Sequence, residues 1–350
     1  MDKGELMDLL GLTRDEMREL MRSLDAELFR ADQILNWLYD RQVTDIGEMR
    51  NLPDGLRRAL TERGWRAQAL AVALTRSAGD GTERYLFALA DGESVEGVYL
   101  PEKKRQTVCL SSQVGCAMNC RFCATGQTGF VRNLSAGEMV DAVRQIGRRK
   151  QKRISHVVVM GQGEPLANYD NLLKALEILK APYGLNISAR HISISTAGLV
   201  PQILALAKKG FQYNLAVSLH ATNDELRSSL MPVNRAYPLG DLHDACREYA
   251  SATGRRVTLE YIMIRGINDS RKDLEGLIAF AKGWLSHVNL IPFHSVPGSQ
   301  WTASTRATIE RFLDDLQRAG IPATLRRSRG EEVLAACGQL RQETIMSNKH

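Results

Sequence analysis

No stretch of this 350-residue chain is long and apolar enough to cross a bilayer as a helix. Its apolar runs fall well short of the ~18 residues such a span needs. The opening Met1-Asp-Lys-Gly-Glu-Leu has no apolar core of the kind a signal peptide carries. The chain is therefore expected to work in the cytoplasm. A disulfide framework is missing too. Six cysteines, three of them crowded into eight residues, are not spread like the staples of a small secreted domain. There is no internal repeat and no low-complexity segment, which excludes a solenoid. An acidic excess is absent as well: 46 Lys and Arg against 40 Asp and Glu give a net charge of +6 and a pI of about 9.0. That balance is compatible with a polyanionic partner. Lys103-Lys104-Arg105, Arg148-Arg149-Lys150 with Lys152-Arg153, and Arg326-Arg327 with Arg329 are the local basic clusters. Each alone reads as a solvated face; several on one chain favour nucleic acid.

What is present is Cys116-Ala-Met-Asn-Cys-Arg-Phe-Cys123, a C-x3-C-x2-C spacing. Thiolates are soft anionic ligands, and a short irregular loop can wrap three of them around one face of a metal centre. A closed zinc site needs a fourth ligand, which Cys109 or a distant His could supply. An iron–sulfur cluster held by three cysteines leaves one iron open to bind something else.

The length suits one large domain plus a small one. Residues 1–75 read as a helical module: Leu6, Leu9, Leu10 and Met17, Leu20, Met21 keep helical spacing, and Thr13 with Glu16 is a capping box. Residues 30–39 form an amphipathic helix, and Pro53 opens a third. The module is a candidate RNA-docking or packing element. Residues 76–105 read as a β-hairpin linker turning at Asp91-Gly92. Glu96 lies in its second strand, and a strand glutamate is expected to face solvent.

From residue 106 to 341 strands and helices alternate. The strands are expected at 107–111, 156–160, 190–195, 213–219, 256–263, 288–292 and 323–326. The helices are expected at 135–145, 171–179, 201–208, 242–250, 272–280 and 306–319. Such alternation gives an α/β fold with a parallel sheet. In a (β/α) barrel of the TIM type the loops after the strands build the site. Those loops contain Gly161-Gln-Gly163-Glu164-Pro165, Ser195, Ser218-Leu219-His220 and Phe293-His294. Gly161-x-Gly163 could begin a dinucleotide fingerprint, but the third glycine is missing and Pro165 follows. Residues 342–350 read as a tail.

C-x3-C-x2-C after the first barrel strand, with a GGEP-like element ending the second, resembles the radical S-adenosylmethionine (SAM) superfamily. The segment from Thr107 to Phe130, Phe29 to Tyr39, Val98 to Glu102 and Ala335-Ala-Cys-Gly-Gln-Leu340 narrow the resemblance to its RlmN/Cfr family, over residues 25–341. The resemblance implies an incomplete barrel of the radical SAM type, a 4Fe-4S cluster on Cys116, Cys120 and Cys123, and SAM as cofactor. Gly163, Glu164, Ser195, Ser218, Leu219, His220 and His294 match SAM-binding positions. The RlmN branch methylates adenine C2 in 23S rRNA and certain tRNAs; the Cfr branch methylates C8. C2 is electron-poor and has no acidic proton, so direct displacement on SAM fails. By resemblance, one SAM methylates Cys337, and a second is cleaved to a 5′-deoxyadenosyl radical that takes a hydrogen from the S-methyl group. The carbon radical adds to C2. A base, Glu96 or Cys109, takes the C2 proton, and Cys109 attacks Cys337 to release the product as a disulfide.

The implied partners are RNA, with the target base flipped or unstacked, and an electron donor such as flavodoxin or ferredoxin. The implied state is a monomer. Two positions depart from the family pattern: His294 stands where the family has asparagine, and Gln162 where it has methionine. Pro165, alanine in Cfr, favours C2 over C8. A non-catalytic zinc RNA-binding module is the alternative from another class. Cys246, in the helix expected at 242–250, reads as a buried apolar residue.

Overall fold

The computed structural model describes residues 7–294 and 299–326. Cys337 lies outside the described residues. Near the N-terminus, β1 (Met7–Asp8) pairs with β2 (Trp65–Arg66) around three helices, α1 (Arg14–Ser23), α2 (Phe29–Tyr39) and α3 (Asp54–Glu62). Thr13 and Glu16 form the expected capping box. Leu9 and Leu10 are buried, but in a 3-10 turn rather than a helix.

Then come β3 (Ala71–Ser77), β4 (Glu83–Ala88), β5 (Ser94–Pro101) and β6 (Gln106–Leu110), an antiparallel meander. A ribbon, β7 (Gln113–Gly115) with β8 (Phe130–Asn133), brackets the cysteine loop. The βα units follow: α4 (Ala136–Lys150), β9 (His156–Val159), α5 (Tyr169–Lys180), β10 (Ile192–Thr196), α6 (Val200–Lys208), β11 (Asn214–Ser218), α7 (Asp224–Leu230), α8 (Leu239–Thr253), β12 (Val257–Met263), α9 (Arg271–Ala281), β13 (Ser286–Pro292), α10 (Arg306–Arg318) and β14 (Ala323–Leu325).

Ten described strands share one sheet, in the order β14-β13-β12-β11-β10-β9-β6-β5-β4-β3. The seven from β6 to β14 run parallel. The hairpin expected as a linker is thus an antiparallel extension of the barrel sheet. Five strand spacings separate β6 from β13, roughly 24 Å on a flat sheet. Yet Cys120, just beyond β6, packs in one apolar cluster with Ala197, Ala221, Ile264 and Phe293, from the ends of β10 to β13. The sheet is curled into a barrel, and among the described residues no pairing joins β14 to β6.

The two faces of the sheet differ in chemistry. Val108, Val157, Ile194, Val217, Leu259 and Leu290 point outward into the main core with the helices. The alternate residues point inward and are largely polar: Ser193 and Asn214 lie abreast, as do Ser218, Glu260 and Asn289. A TIM barrel that serves only as scaffold fills this space with branched apolar side chains. Here the lumen is left for a polar guest.

The N-terminal helices belong to that same core. Asp141 and Arg144 of α4 are fully buried and bonded to each other. Asp141 accepts from the Ala69 and Leu70 N–H groups, and Arg144 donates to the carbonyls of Val43 and Ala67. A Cβ on Gly11 would stand 2.9 Å from Gly137 N, so the two backbones meet where no side chain fits.

Candidate active site

The cysteine loop leaves β7 at Gly115 and returns at β8. Gly115 has φ 75°, and Asn119 also adopts positive φ, a region Asn tolerates. Cys116 and Cys120 are buried and Cys123 is half-buried. The Cys116 thiol is pushed up to about 11, chiefly by burial and in smaller part by Cys123. Cys120 is raised by burial and then by Cys123 and Cys116. The three thiols thus oppose one another's ionisation, and a shared cation would reverse that. Among the described residues no three His, Cys, Asp or Glu side chains already stand at metal-ligand distances. A cluster would draw the thiols of this short loop together. Two buried oxygens, Thr125 Oγ1 after the cysteine loop and Gln162 Oε1 in the loop after β9, have no hydrogen-bond partner among the described residues. The donor set and these orphaned atoms fit a bound polar group.

Glu164 is buried, with both carboxylate oxygens engaged by backbone: Oε2 accepts from Ala197 N at 2.6 Å and Oε1 from Leu166 N at 2.9 Å. Burial nevertheless raises its pKa to about 7. It ties the loop after β9 to the loop after β10. Gly163 has φ 97°, and a Cβ there would lie 2.5 Å from Gln113 Cβ. Ser195 and Ser218 are half-buried on the lumen face. Leu219 offers its backbone: N–H donates to Glu260 O at 3.0 Å, and its side chain is in the core. His294 is exposed at the end of β13.

His220 adopts φ 59° and is buried. Its Nδ1 accepts from Ile262 N at 3.1 Å, and Phe122 of the cysteine loop meets its ring edge-on at 4.6 Å. Burial, then Arg227, pull its pKa down to about 3. A depressed histidine pKa makes the unfolded chain bind more protons below about pH 6.5. Stability should therefore be full above pH 6.5 and decline as pH falls toward 3. Between pH 7.5 and 5.5 the loss should be about 1.4 kcal/mol. Chemical denaturation at pH 7.5 and 5.5 checks this: His220→Asn should lose less on acidification than the unaltered chain. An equal loss would remove His220 as the cause.

Sequence reading missed Arg227, because on α7 it looks like an ordinary surface arginine. It is wholly buried, donating to Ala197 O at 2.8 Å, Ser218 O at 3.0 Å, Leu219 O at 3.1 Å and Asn234 Oδ1 at 2.9 Å. Burial lowers its pKa to about 10, and Cys120 is the first group that favours its charged form. A fixed cation under the cysteine loop suits an anionic thiolate cluster. The only hint in the sequence was the cap-rich run Asn223-Asp-Glu-Leu-Arg227.

Glu96 does not face solvent. It is 5% exposed and takes Arg84 Nη2 at 2.6 Å and Nε at 3.1 Å; Arg84 is 1% exposed. Arg84, Val98 and Cys109 lie abreast on β4, β5 and β6, and Glu96 is two residues from Val98 on that face. Cys109 is buried there, while its neighbours Val108 and Leu110 point into the helix-side core. Cys246 is fully buried in that core, its thiol pushed up to about 12. Glu96, Cys109 and the strand-end loops therefore share the lumen.

The radical SAM superfamily model matches residues 110–281, and the ribosomal RNA large subunit methyltransferase N-terminal domain matches residues 7–64. The chain is 42% identical to a probable dual-specificity RNA methyltransferase RlmN from Clostridium perfringens, covering 98% of this chain and 99% of the relative. The dual-specificity RNA methyltransferase RlmN of Syntrophotalea carbinolica is 44% identical over 99% of this chain and 93% of its own. The chain belongs to the RlmN family. A crystal structure of a radical SAM methyltransferase from Sphaerobacter thermophilus superposes with a TM-score of 0.91 at 45% identity, covering 95% of this chain and 98% of that one. The incomplete barrel is thus the radical SAM fold, and this RlmN-family enzyme uses a 4Fe-4S cluster and SAM. No described helix is long and apolar enough to cross a membrane.

Proposed function

We propose that this RlmN-family enzyme methylates C2 of an adenosine in 23S rRNA, and in tRNA. The observation that carries the reading is 42% identity to an RlmN relative over nearly the full length, on a fold whose lumen gathers Glu96, Cys109 and the cysteine loop. Cys116, Cys120 and Cys123 would hold the cluster. Gly163, Glu164, Ser195, Ser218, Leu219, His220 and His294 would seat SAM. The cluster and SAM supply one-electron chemistry, which an electron-poor ring carbon requires.

The protein's own residues do the rest. Arg227 fixes the carbonyls of Ala197, Ser218 and Leu219, which orients the loops around SAM. His220, neutral at physiological pH, adds no charge beside a sulfonium. Cys337 would carry the methyl group and Cys109 would resolve the adduct, with Glu96 or Cys109 taking the C2 proton. The burial of Cys109 keeps competing thiols away from that step. Flavodoxin or ferredoxin would be the donor, the cytoplasm the compartment and a monomer the working state.

The test is anaerobic reconstitution with iron and sulfide, then incubation with SAM, a reductant and unmodified rRNA or tRNA, and digestion to nucleosides. 2-Methyladenosine is the expected product. 8-Methyladenosine alone would overturn the C2 assignment, and zinc without sulfide would overturn the cluster.

A further inference from the structure

All strands of a parallel barrel start at one end, so the segments feeding β6, β9, β10, β11, β12 and β13 form a single rim opposite the cysteine loop. Residues 102–105, 151–155, 181–191, 209–213, 254–256 and 282–285 make up these segments. They contain ten Lys and Arg and one acid, Glu102. Among the described residues the segments at the other end carry Arg121, Arg132, Arg235, Arg265 and, after β14, Arg326, against Glu164 and Asp269. The positive charge is concentrated away from the catalytic mouth.

Part of this basic end has an ordinary cause. Arg148, Lys180 and Lys208 sit in the last turns of α4, α5 and α6, where cations offset the helix dipole. That account does not reach Arg105, Lys152, Arg190 and Arg256, which are exposed and lie outside the α-helices. Among the described residues none of these four makes an ion pair; the pair at this end is Lys150 with Glu83 at 2.7 Å.

Two histidines on the lumen floor register the field from different sides. His156 is lowered by burial, His191 and Arg105, and His287 by burial and Arg256. The exposed His191 ring stacks on His156 with centroids 4.2 Å apart, presenting a flat surface of the kind nucleobases stack upon.

We propose that this rim, through Arg105, Lys152, Arg190 and Arg256, is a second RNA-contact surface that grips the phosphodiester backbone at a distance from the adenosine being modified. It rests on RNA being the substrate. A folded RNA is large enough to touch both ends of a barrel, and backbone contacts position it without reading sequence. Arginine suits this use, because its planar fork matches phosphate oxygens.

The test uses the full-length reconstituted enzyme, a long structured rRNA fragment and a short hairpin containing only the target loop. Binding of the long fragment is measured from about 50 to 200 mM salt, the range over which phosphate contacts are lost. The variant Arg105→Gln/Lys152→Gln/Arg190→Gln/Arg256→Gln should reduce the slope of log K against log salt by about 3. It should weaken binding of the long fragment tenfold or more and leave the kcat on the short hairpin unchanged. A control, Arg271→Gln/Lys272→Gln/Arg306→Gln/Arg311→Gln, removes the same charge from α9 and α10 and should keep the slope. Unchanged binding by the rim variant, or an equal loss in the control, overturns the proposal. Absence of methylation by the unaltered enzyme would instead defeat the proposed function, and the binding arm would still read the rim.

Discussion

Cys116→Ala, Cys120→Ala and Cys123→Ala should each reduce bound iron and sulfide to background. SAM cleavage should fall roughly 100-fold or more, since even outer-shell changes at metal sites reach that scale. Two thiolates cannot replace three on so short a loop. Burial and mutual repulsion hold Cys116 and Cys120 as thiols without the metal, so nothing but the metal stabilises their ionised forms. Cys246→Ala is the contrast. Its thiol is buried just as deeply, but among core side chains on α8, so cluster content should stay full while stability drops by about 1 kcal/mol. Iron and sulfide analysis on all four variants decides the matter. A Cys120→Ala protein with a full cluster would remove the loop from its assigned role.

Arg84→Met should destabilise the fold by about 3–5 kcal/mol, because it removes the buried guanidinium that bonds the Glu96 carboxylate. Glu96→Gln should be milder, since an amide can still accept from the guanidinium. It should abolish methyl transfer if Glu96 takes the C2 proton, while sparing SAM cleavage. Arg84→Met/Glu96→Leu should recover most of the stability but not the activity, which separates the structural from the chemical role. Denaturant midpoints report the first quantity and nucleoside analysis the second. A single Arg84→Met change within about 0.5 kcal/mol of the unaltered protein would show that the pair contributes little.

Much of the fold was legible because its strands are short apolar runs between capped helices. Thr13 with Glu16 marked the start of α1, and Pro53 the start of α3. What escaped depended on distant partners. β3 is mostly exposed, so its residues show no alternation to read. β7 finds its partner β8 only after the cysteine loop is closed. Glu96 in an isolated hairpin would face water, and it is buried because the hairpin continues the barrel sheet and places Arg84 beside it. Arg227 was hidden for the same reason: four carbonyl and amide oxygens from separate loops make its site, and a local pattern cannot show them.

The sheet has one apolar face and one polar face, and this division separates what holds the protein together from what it works on. Outward residues such as Val217 and Leu259 carry the packing, while their inward neighbours Ser218 and Glu260 bear little of it. Lumen positions other than the buried Arg84–Glu96 pair can therefore be exchanged without unfolding the shell. A shell built this way can keep its architecture while the residues lining its lumen change.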